Sequence, residues 1–163
     1  MLDTLKPGLY KGNVHFLLLG PDGEVKFEDR VQNAMYLGGK QGLADQQLPS
    51  PTISKIGWMA VGTGTPSSVA NLLPATDKLG AEVARVSLSP ATTRGGANGN
   101  VLTLQATFPA GTGTAALTEA GLFSVTTANT VSATAPMYAA TSFSTITKGI
   151  NDALSITWTI TVA

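Results

Sequence analysis

The chain has 163 residues, no cysteine, and ten basic side chains balanced by ten acidic ones. This length fits one domain with a sizeable core, and the missing cysteines exclude a disulfide framework or a thiolate site. Because phosphate binding needs clustered Lys and Arg, a net charge of zero argues against a nucleic-acid partner. The longest apolar run, residues 16–19, is too short to cross a bilayer. We therefore expect a product made in the cytoplasm, with no membrane partner.

Charged residues are concentrated near the amino terminus. Only 12% of the residues are charged, against about 25% in a typical soluble domain. Four of them stand in residues 86–163: Arg94, Glu119, Lys148 and Asp152. Catalysis and metal binding need titratable groups held close together, so we expect no enzyme, metal or cofactor site in this segment. Charge depletion also marks the centre of protein interfaces. We interpret the segment as packing against other subunits, the alternative being a neutral surface in a monomer.

The first predicted element is a β-hairpin. Residues 14–19 form an apolar run, and in residues 24–28 Val25 and Phe27 alternate with charged side chains, as in a half-buried strand. The intervening Gly-Pro-Asp-Gly of residues 20–23 suits a tight turn.

A short helix is expected after the hairpin, over about residues 40–47, although nearby glycines weaken helix formation. Pro-Ser-Pro at residues 49–51 ends it. We place a boundary there, between an amino-terminal hairpin arm with the short helix (residues 1–52) and a β-sandwich assembly domain (residues 53–163). One continuous domain is the alternative.

The remaining sequence predicts short strands about ten residues apart, joined by Gly- and Thr-rich turns. They cover residues 56–61, 82–88, 101–108, 117–124, 137–143 and 154–162. A long loop is expected after residue 61, and a Gly-rich hairpin tip at residues 95–100, after which residues 101–108 pair back. This pattern is typical of an antiparallel β-sandwich, so the predicted fold class is mainly β, with one short helix.

The last strand has the clearest alternation. Five apolar residues from Leu154 to Val162 alternate with four polar, uncharged ones: Ser155, Thr157, Thr159 and Thr161. Exposed strands usually carry charges that prevent edge-to-edge pairing. This strand must therefore be central in its sheet, or its polar side must be covered by another copy or another protein. We select these four residues as the candidate assembly surface.

Glu119 is an isolated carboxylate in neutral surroundings. On a strand it would share a face with Leu117, Gly121 and Phe123, so we expect it to be buried with a partner. Arg85 is the preferred partner, and Arg94 the second choice. A structural ion pair that fixes strand register is favoured over a catalytic acid, because no second carboxylate or histidine lies nearby in sequence.

Other candidate motifs give no binding site. His15, the single histidine, is expected on the outer face of a strand. The glycines of residues 62–65 and 38–41 lack the Gly-Lys-Ser/Thr of a phosphate-binding loop, so both are interpreted as turns. The acidic residues between 22 and 29 alternate with basic ones, which is typical of a solvated face rather than a calcium site.

Three segments, in order, carry a family resemblance: residues 60–66 (AVGTGTP), 79–85 (LGAEVAR) and 117–123 (LTEAGLF). They are followed by Phe143, Ile146, Lys148 and Asp152, which lead into the last strand. Over about residues 56–162 the chain resembles small virion structural proteins of tailed bacteriophages, and is similar to the virion-attachment domain of tail-collar fibre proteins. The sequence departs from those fibre proteins in one respect: because it ends at Ala163, we expect no shaft or receptor-binding tip to follow.

The resemblance implies a virion protein, made in the host cytoplasm, with other virion proteins and further copies of itself as partners. The first hypothesis is a tail, neck or baseplate adaptor to which a separate fibre attaches. The second is a decoration, or cement, protein on the capsid. A carbohydrate-binding module ranks third, because both tryptophans, Trp58 and Trp158, lie in apolar strands and leave few aromatic side chains for sugar stacking.

Overall fold

The computed structural model describes residues 10–71 and 73–162. It confirms the predicted fold class: the chain is mainly β, with two packed antiparallel sheets and one short α-helix. Within the described residues, the elements in chain order are β1 (Tyr10–Leu19), β2 (Val25–Gln32), β3 (Ala34–Met35), α1 (Leu37–Asp45), β4 (Trp58–Gly62), a 3-10 turn (Val69–Asn71), β5 (Glu82–Ser87), β6 (Thr93–Gly95), β7 (Val101–Phe108), β8 (Ala115–Phe123), β9 (Met137–Lys148) and β10 (Ala153–Val162).

The strands form two five-stranded sheets. Sheet 1 has the order β2-β1-β10-β7-β6, and sheet 2 has the order β3-β9-β8-β4-β5. Alternating side chains of both sheets point inward and form the main core. Its largest fully buried members include Trp158, Phe16 and Phe108 from sheet 1 and Leu122 from sheet 2.

The predicted hairpin is part of sheet 1. β1 pairs with β2 on one side and with β10 on the other, where ten consecutive residue pairs run from Tyr10–Val162 to Leu19–Ala153. Residues from the first 52 positions and from the end of the chain therefore share one sheet and one core. Residues 1–9 of the predicted arm lie outside the described part of the chain.

The Gly-rich tip at residues 95–100 connects different strands from those expected. It joins the three-residue β6 to β7, with Gly96 and Gly99 at positive φ, as a tight tip requires. The predicted strand at residues 82–88 corresponds to β5, which pairs with β4 in sheet 2. A chain segment that crosses between the sheets thus separates β5 from β7, and local sequence carries no signal for such a crossing.

Helix α1 begins three residues earlier than predicted. Its glycines lie where the helix meets β9, and there a larger residue would not fit. A Cβ atom at Gly39 would overlap the carbonyl of Tyr138, and one at Gly42 would overlap the Tyr138 hydroxyl. The glycines that weaken helix propensity thus allow close packing of the helix on the sheet.

A second, smaller core covers the outer face of sheet 2. Tyr36 and Leu79, which precede α1 and β5, are buried against three residues of that face: Ala60, Phe123 and Ala140. Sheet 2 is therefore covered on its outer face around these residues, while Ser142 and Thr147 farther along β9 are exposed. Sheet 1 differs in this respect, and the difference defines the candidate site.

Candidate assembly surface

The predicted surface residues lie at the middle of sheet 1. β10 is a central strand, hydrogen-bonded to β1 and β7. Its alternation buries Leu154, Ile156, Trp158 and Ile160 in the main core. Ser155, Thr157, Thr159 and Thr161 point to the opposite, outer face, and each is partly exposed. The structure thus places this strand at a central position in its sheet, one of the two explanations that the sequence left open.

Strand register extends this polar surface across neighbouring strands. Thr157 lies between His15 and Gln105, and Thr159 lies between Asn13 and Thr103. Ser155 is opposite Thr107, and their hydroxyl oxygens are 3.2 Å apart. β7 and β10 carry no charged side chain. We call the outer side chains of β1, β10 and β7 the docking face.

The docking face carries one Lys, Arg, Asp or Glu side chain, Lys11 on β1, and further charged side chains adjoin it on β2. His15 Nε2 lies 2.8 Å from Glu28 Oε1, and Arg30 Nη2 lies 3.9 Å from the same oxygen. The side chains of Glu28 and Arg30 are about half or more exposed, so their attraction is screened by water and contributes little to stability. His15 occupies the outer-face position expected from the sequence, with Glu28 as its neighbour.

The docking face has no buried side chain. Its members, from Lys11 on β1 to Thr107 on β7, are all intermediate or exposed. On the outer face of sheet 2, by contrast, Ala60 and Phe123 are 0% exposed beneath the second core. Within the described residues, sheet 1 therefore presents the open face of the sandwich.

The sheet edges carry features that oppose pairing with another strand. β3 and β6 are only two and three residues long, and β2 presents exposed Lys26, Glu28 and Arg30. β5 contains a register shift, since Gly62 is opposite Glu82 while Val61 is opposite Ala84. Short strands, charges and bulges all discourage edge-to-edge association. A partner is therefore better accommodated on the docking face than at an edge.

The predicted ion pair between Glu119 and Arg85 is wrong. Glu119 is fully buried, as expected, but its carboxylate accepts three backbone N–H groups: Oε1 those of Gly64 (3.0 Å) and Ala81 (2.7 Å), and Oε2 that of Gly80 (2.8 Å). These donors come from both ends of the connection between β4 and β5. The carboxylate satisfies otherwise unpaired backbone donors and fastens this connection to sheet 2.

The other prediction about Glu119, its shared face with Leu117, is also wrong. Leu117 points into the main core, whereas Gly121 and Phe123 lie with Glu119 on the outer side of sheet 2. The cause is a register shift: Leu117 is opposite Ile146, but Glu119 is opposite Ser142. A bulge changes the phase of alternation, which simple period-two counting cannot detect.

Arg85 pairs instead with Glu82, three residues away on β5. Its Nε and Nη2 donate to the two carboxylate oxygens at 2.8 Å each, and both side chains are 1% exposed. Arg85 also donates to the carbonyl of Val125 and lies 3.8 Å above the centre of the Phe123 ring. Arg94, the second candidate, forms no ion pair among the described residues.

Sequence reasoning missed a buried cluster at the β9–β10 turn. Lys148, 1% exposed, donates to the carbonyls of Pro109 and Asp152 at 3.0 and 2.6 Å. The Asp152 carboxylate accepts from Lys26 Nζ at 2.9 and 3.0 Å and from Gly149 N at 2.8 Å. Lys26 and Asp152 are 126 positions apart, so no local motif could have linked them.

Within the part of the chain that the structure describes, no three or more His, Asp or Glu side chains are grouped to hold a metal ion. Among the same residues, no helix has the length and apolar character needed to span a membrane. No protein-family model matches the sequence, and no curated protein or solved structure matches it significantly. The docking face and the sequence motifs are therefore the features of this chain that bear on its function.

Proposed function

We propose that the protein is a non-enzymatic structural component of a bacteriophage virion, which joins a separate fibre to the tail, neck or baseplate. The observation that carries this proposal is the docking face: an open surface over the middle of sheet 1, centred on Thr157 and Thr159, whose strands β7 and β10 carry no charged residue. Charge depletion is characteristic of the centre of protein interfaces.

The arrangement of hydrogen bonds supports attachment through this face. β10 already has strand neighbours on both sides, so its backbone cannot accept another strand. Its outer hydroxyl groups point away from the sheet, and that of Ser155 pairs with the hydroxyl of Thr107 on β7. Hydroxyl groups both donate and accept hydrogen bonds. A protein partner could thus pair with them without burying an unpaired charge.

Three sequence motifs support a role in a virion. Residues 60–66, 79–85 and 117–123 resemble those of tail-collar attachment domains, and the structure places parts of all three in sheet 2. Gly64, Gly80 and Glu119 come one from each motif, and they meet in the same hydrogen-bond cluster. The shared motifs thus have a common structural role, while the docking face on the other sheet remains free for a partner.

Capsid decoration is the second candidate, because an uncharged sheet face could equally contact a repeating capsid lattice. Copy number separates the two. Quantitative mass spectrometry of purified particles gives the number of copies of this protein per copy of the major capsid protein. We expect a few per cent for an adaptor. For a decoration protein we expect a ratio on the order of one. Absence from particles would contradict both.

The docking face has its own test. Thr157→Lys or Thr159→Lys should block incorporation into particles, because each places a charge at the centre of an uncharged contact. Thr147→Lys is the matched control, since Thr147 is exposed on β9 of sheet 2. Circular dichroism and thermal unfolding should show that all three variants fold. Normal incorporation of the sheet 1 variants would refute docking through this face.

A further inference from the structure

Among the described residues, the three most exposed large apolar side chains lie at the two ends of the sandwich, two at one end and one at the other. Ile150 is 66% exposed, Val25 is 59% exposed and Leu48 is 56% exposed. Ile150 follows the last residue of β9, and Val25 begins β2 beside the same group of turns. Leu48 lies just beyond α1, which packs against the first residues of β9. Because β9 pairs over its whole length with the nine residues of β8, the two ends are separated by roughly 30 Å.

The end that carries Ile150 is formed by three turns, one β-hairpin turn of sheet 1 and two that cross between the sheets, which we call the turn end (residues 20–25, 109–114 and 149–152). Gly111 N donates to the carbonyl of Ile150 at 2.7 Å, and buried Lys148 holds Pro109. The Lys26–Asp152 ion pair attaches the start of β2 to the same group. Ile150 is thus held in place by its neighbours while its side chain projects outward, and a preorganised apolar group loses little entropy when it binds.

The opposite end, which we call the helix end, carries a groove of about 520 Å³. Its walls include four apolar residues, Ala44, Leu48, Ile53 and Ala133. Asp45 fixes one wall, because its Oδ2 accepts both Thr52 N and Ile53 N at 2.7 Å. The groove is therefore a shaped, mainly apolar surface that leaves Leu48 in contact with water.

Charges at the two ends are complementary. The turn end has exposed Asp22 and Glu24, and the helix end has exposed Lys40 and Lys55. None of these four side chains belongs to an ion pair within the described residues. Each end thus combines an apolar element with exposed charge, negative at the turn end and mainly positive at the helix end, where the Asp45 carboxylate on the groove wall is bonded to two backbone N–H groups. Opposite excess charges steer unlike ends together.

We propose that a second copy of this chain occupies the groove: the turn end of one copy, led by Ile150, docks against the helix end of the next. Such a contact joins two different surfaces, so repetition generates a ring or a filament rather than a closed dimer. It leaves the docking face of each copy free. The contact needs no virion component, so an experiment that refutes it leaves the proposed function unaffected, and the reverse is also true.

The absence of native cysteine allows a direct crosslinking test. The purified chain carrying both Ile150→Cys and Leu48→Cys should form a ladder of disulfide-linked dimers, trimers and larger species on a non-reducing gel. The matched control carries Ile150→Cys with Val83→Cys, since Val83 is exposed on β5, away from both ends. The Ile150→Cys single variant tests for contact between two turn ends.

A ladder at least several-fold stronger in the first variant than in the control supports the contact. The proposal is overturned if the first variant and the control give ladders of equal strength, or if neither gives a ladder. It is also overturned if the Ile150→Cys single variant forms dimers in the same yield as the first variant. As a second measurement, Ile150→Ser should weaken self-association in sedimentation experiments by about tenfold or more, given the apolar area lost, and added salt should weaken it further. A chain that stays monomeric at all concentrations would also overturn the proposal.

Discussion

Arg85 and Glu82 form a bidentate ion pair in which both side chains are 99% shielded from water, with two N–O distances of 2.8 Å. Burial of charges is costly unless they are paired, so removal of one partner leaves an uncompensated charge. We expect Arg85→Met to lower the free energy of unfolding by about 3–5 kcal/mol, measured by urea denaturation.

The double variant Glu82→Leu with Arg85→Met provides the control. Because it removes both charges together, it should be less destabilised than either single variant. If the double variant is as unstable as the sum of the two singles, the pair is not energetically coupled. The carbonyl of Val125 and the N–H of Asn129 also lose their partners in this variant, so full recovery of stability is not expected.

Glu119→Ala should destabilise the fold strongly, because it leaves the N–H groups of Gly64, Gly80 and Ala81 without acceptors. A fully buried donor left unpaired costs about 1–3 kcal/mol, and because these three hydrogen bonds are partly buried, we expect a cost per donor at the lower end of that range. Glu119→Gln retains one carbonyl oxygen and should cost less than the alanine variant. Amide hydrogen exchange at Gly80 and Ala81 should accelerate in both. Equal unfolding free energies for alanine and glutamine variants would contradict the role of the carboxylate as a shared acceptor.

Asp152 makes the free energy of unfolding depend on pH in the acidic range. The hydrogen bond from Lys26, followed by that from Gly149 N, lowers the pKa of this carboxyl in the folded state. A lowered folded-state pKa means that the contribution is fully present above the unfolded value of about 3.9 and is lost as pH falls through the folded-state pKa. Lys26→Met should reduce this acid dependence, measured as unfolding free energy between about pH 2 and 5. Lys11→Met, outside the cluster, should leave it unchanged.

Two buried tyrosines should ionise at a higher pH than an exposed tyrosine. Burial, with smaller effects of Asp77 and Glu119, raises the pKa of Tyr36 to about 12, and burial together with Asp45 raises that of Tyr138 to about 12. Because the unfolded value is about 10, their contribution is fully present below pH 10 and is lost as pH rises through 12. Absorbance at alkaline pH should show both phenols titrating after the normal range, and Tyr36→Phe should remove one of them. Ionisation near pH 10 in the folded protein would contradict their burial.

The strands were predictable because alternation is a local property. β10 shows this best, since its apolar and hydroxyl residues alternate without interruption from Leu154 to Thr161. The partners of Glu119 were not predictable, because an apolar sequence around a carboxylate does not reveal that backbone N–H groups will satisfy it. Bulges beside Glu119 and Glu82 change which residues share a face. Sequence alternation thus located the outer face of β10. The partners of the buried charges could not be predicted in this way, because they come from distant parts of the chain.

Gly39 provides a test in which helix propensity and packing predict opposite results. Alanine in the middle of a helix is normally more stable than glycine by about 1 kcal/mol. At residue 39, however, the added Cβ would overlap the backbone carbonyl of Tyr138 and push α1 away from β9. We therefore expect Gly39→Ala to reduce the free energy of unfolding by roughly 1–3 kcal/mol, the usual cost of overpacking. Gln41→Ala, at an exposed position of the same helix, should change it by less than about 0.5 kcal/mol. A stabilised Gly39→Ala variant would show that helix and sheet are less closely packed than described.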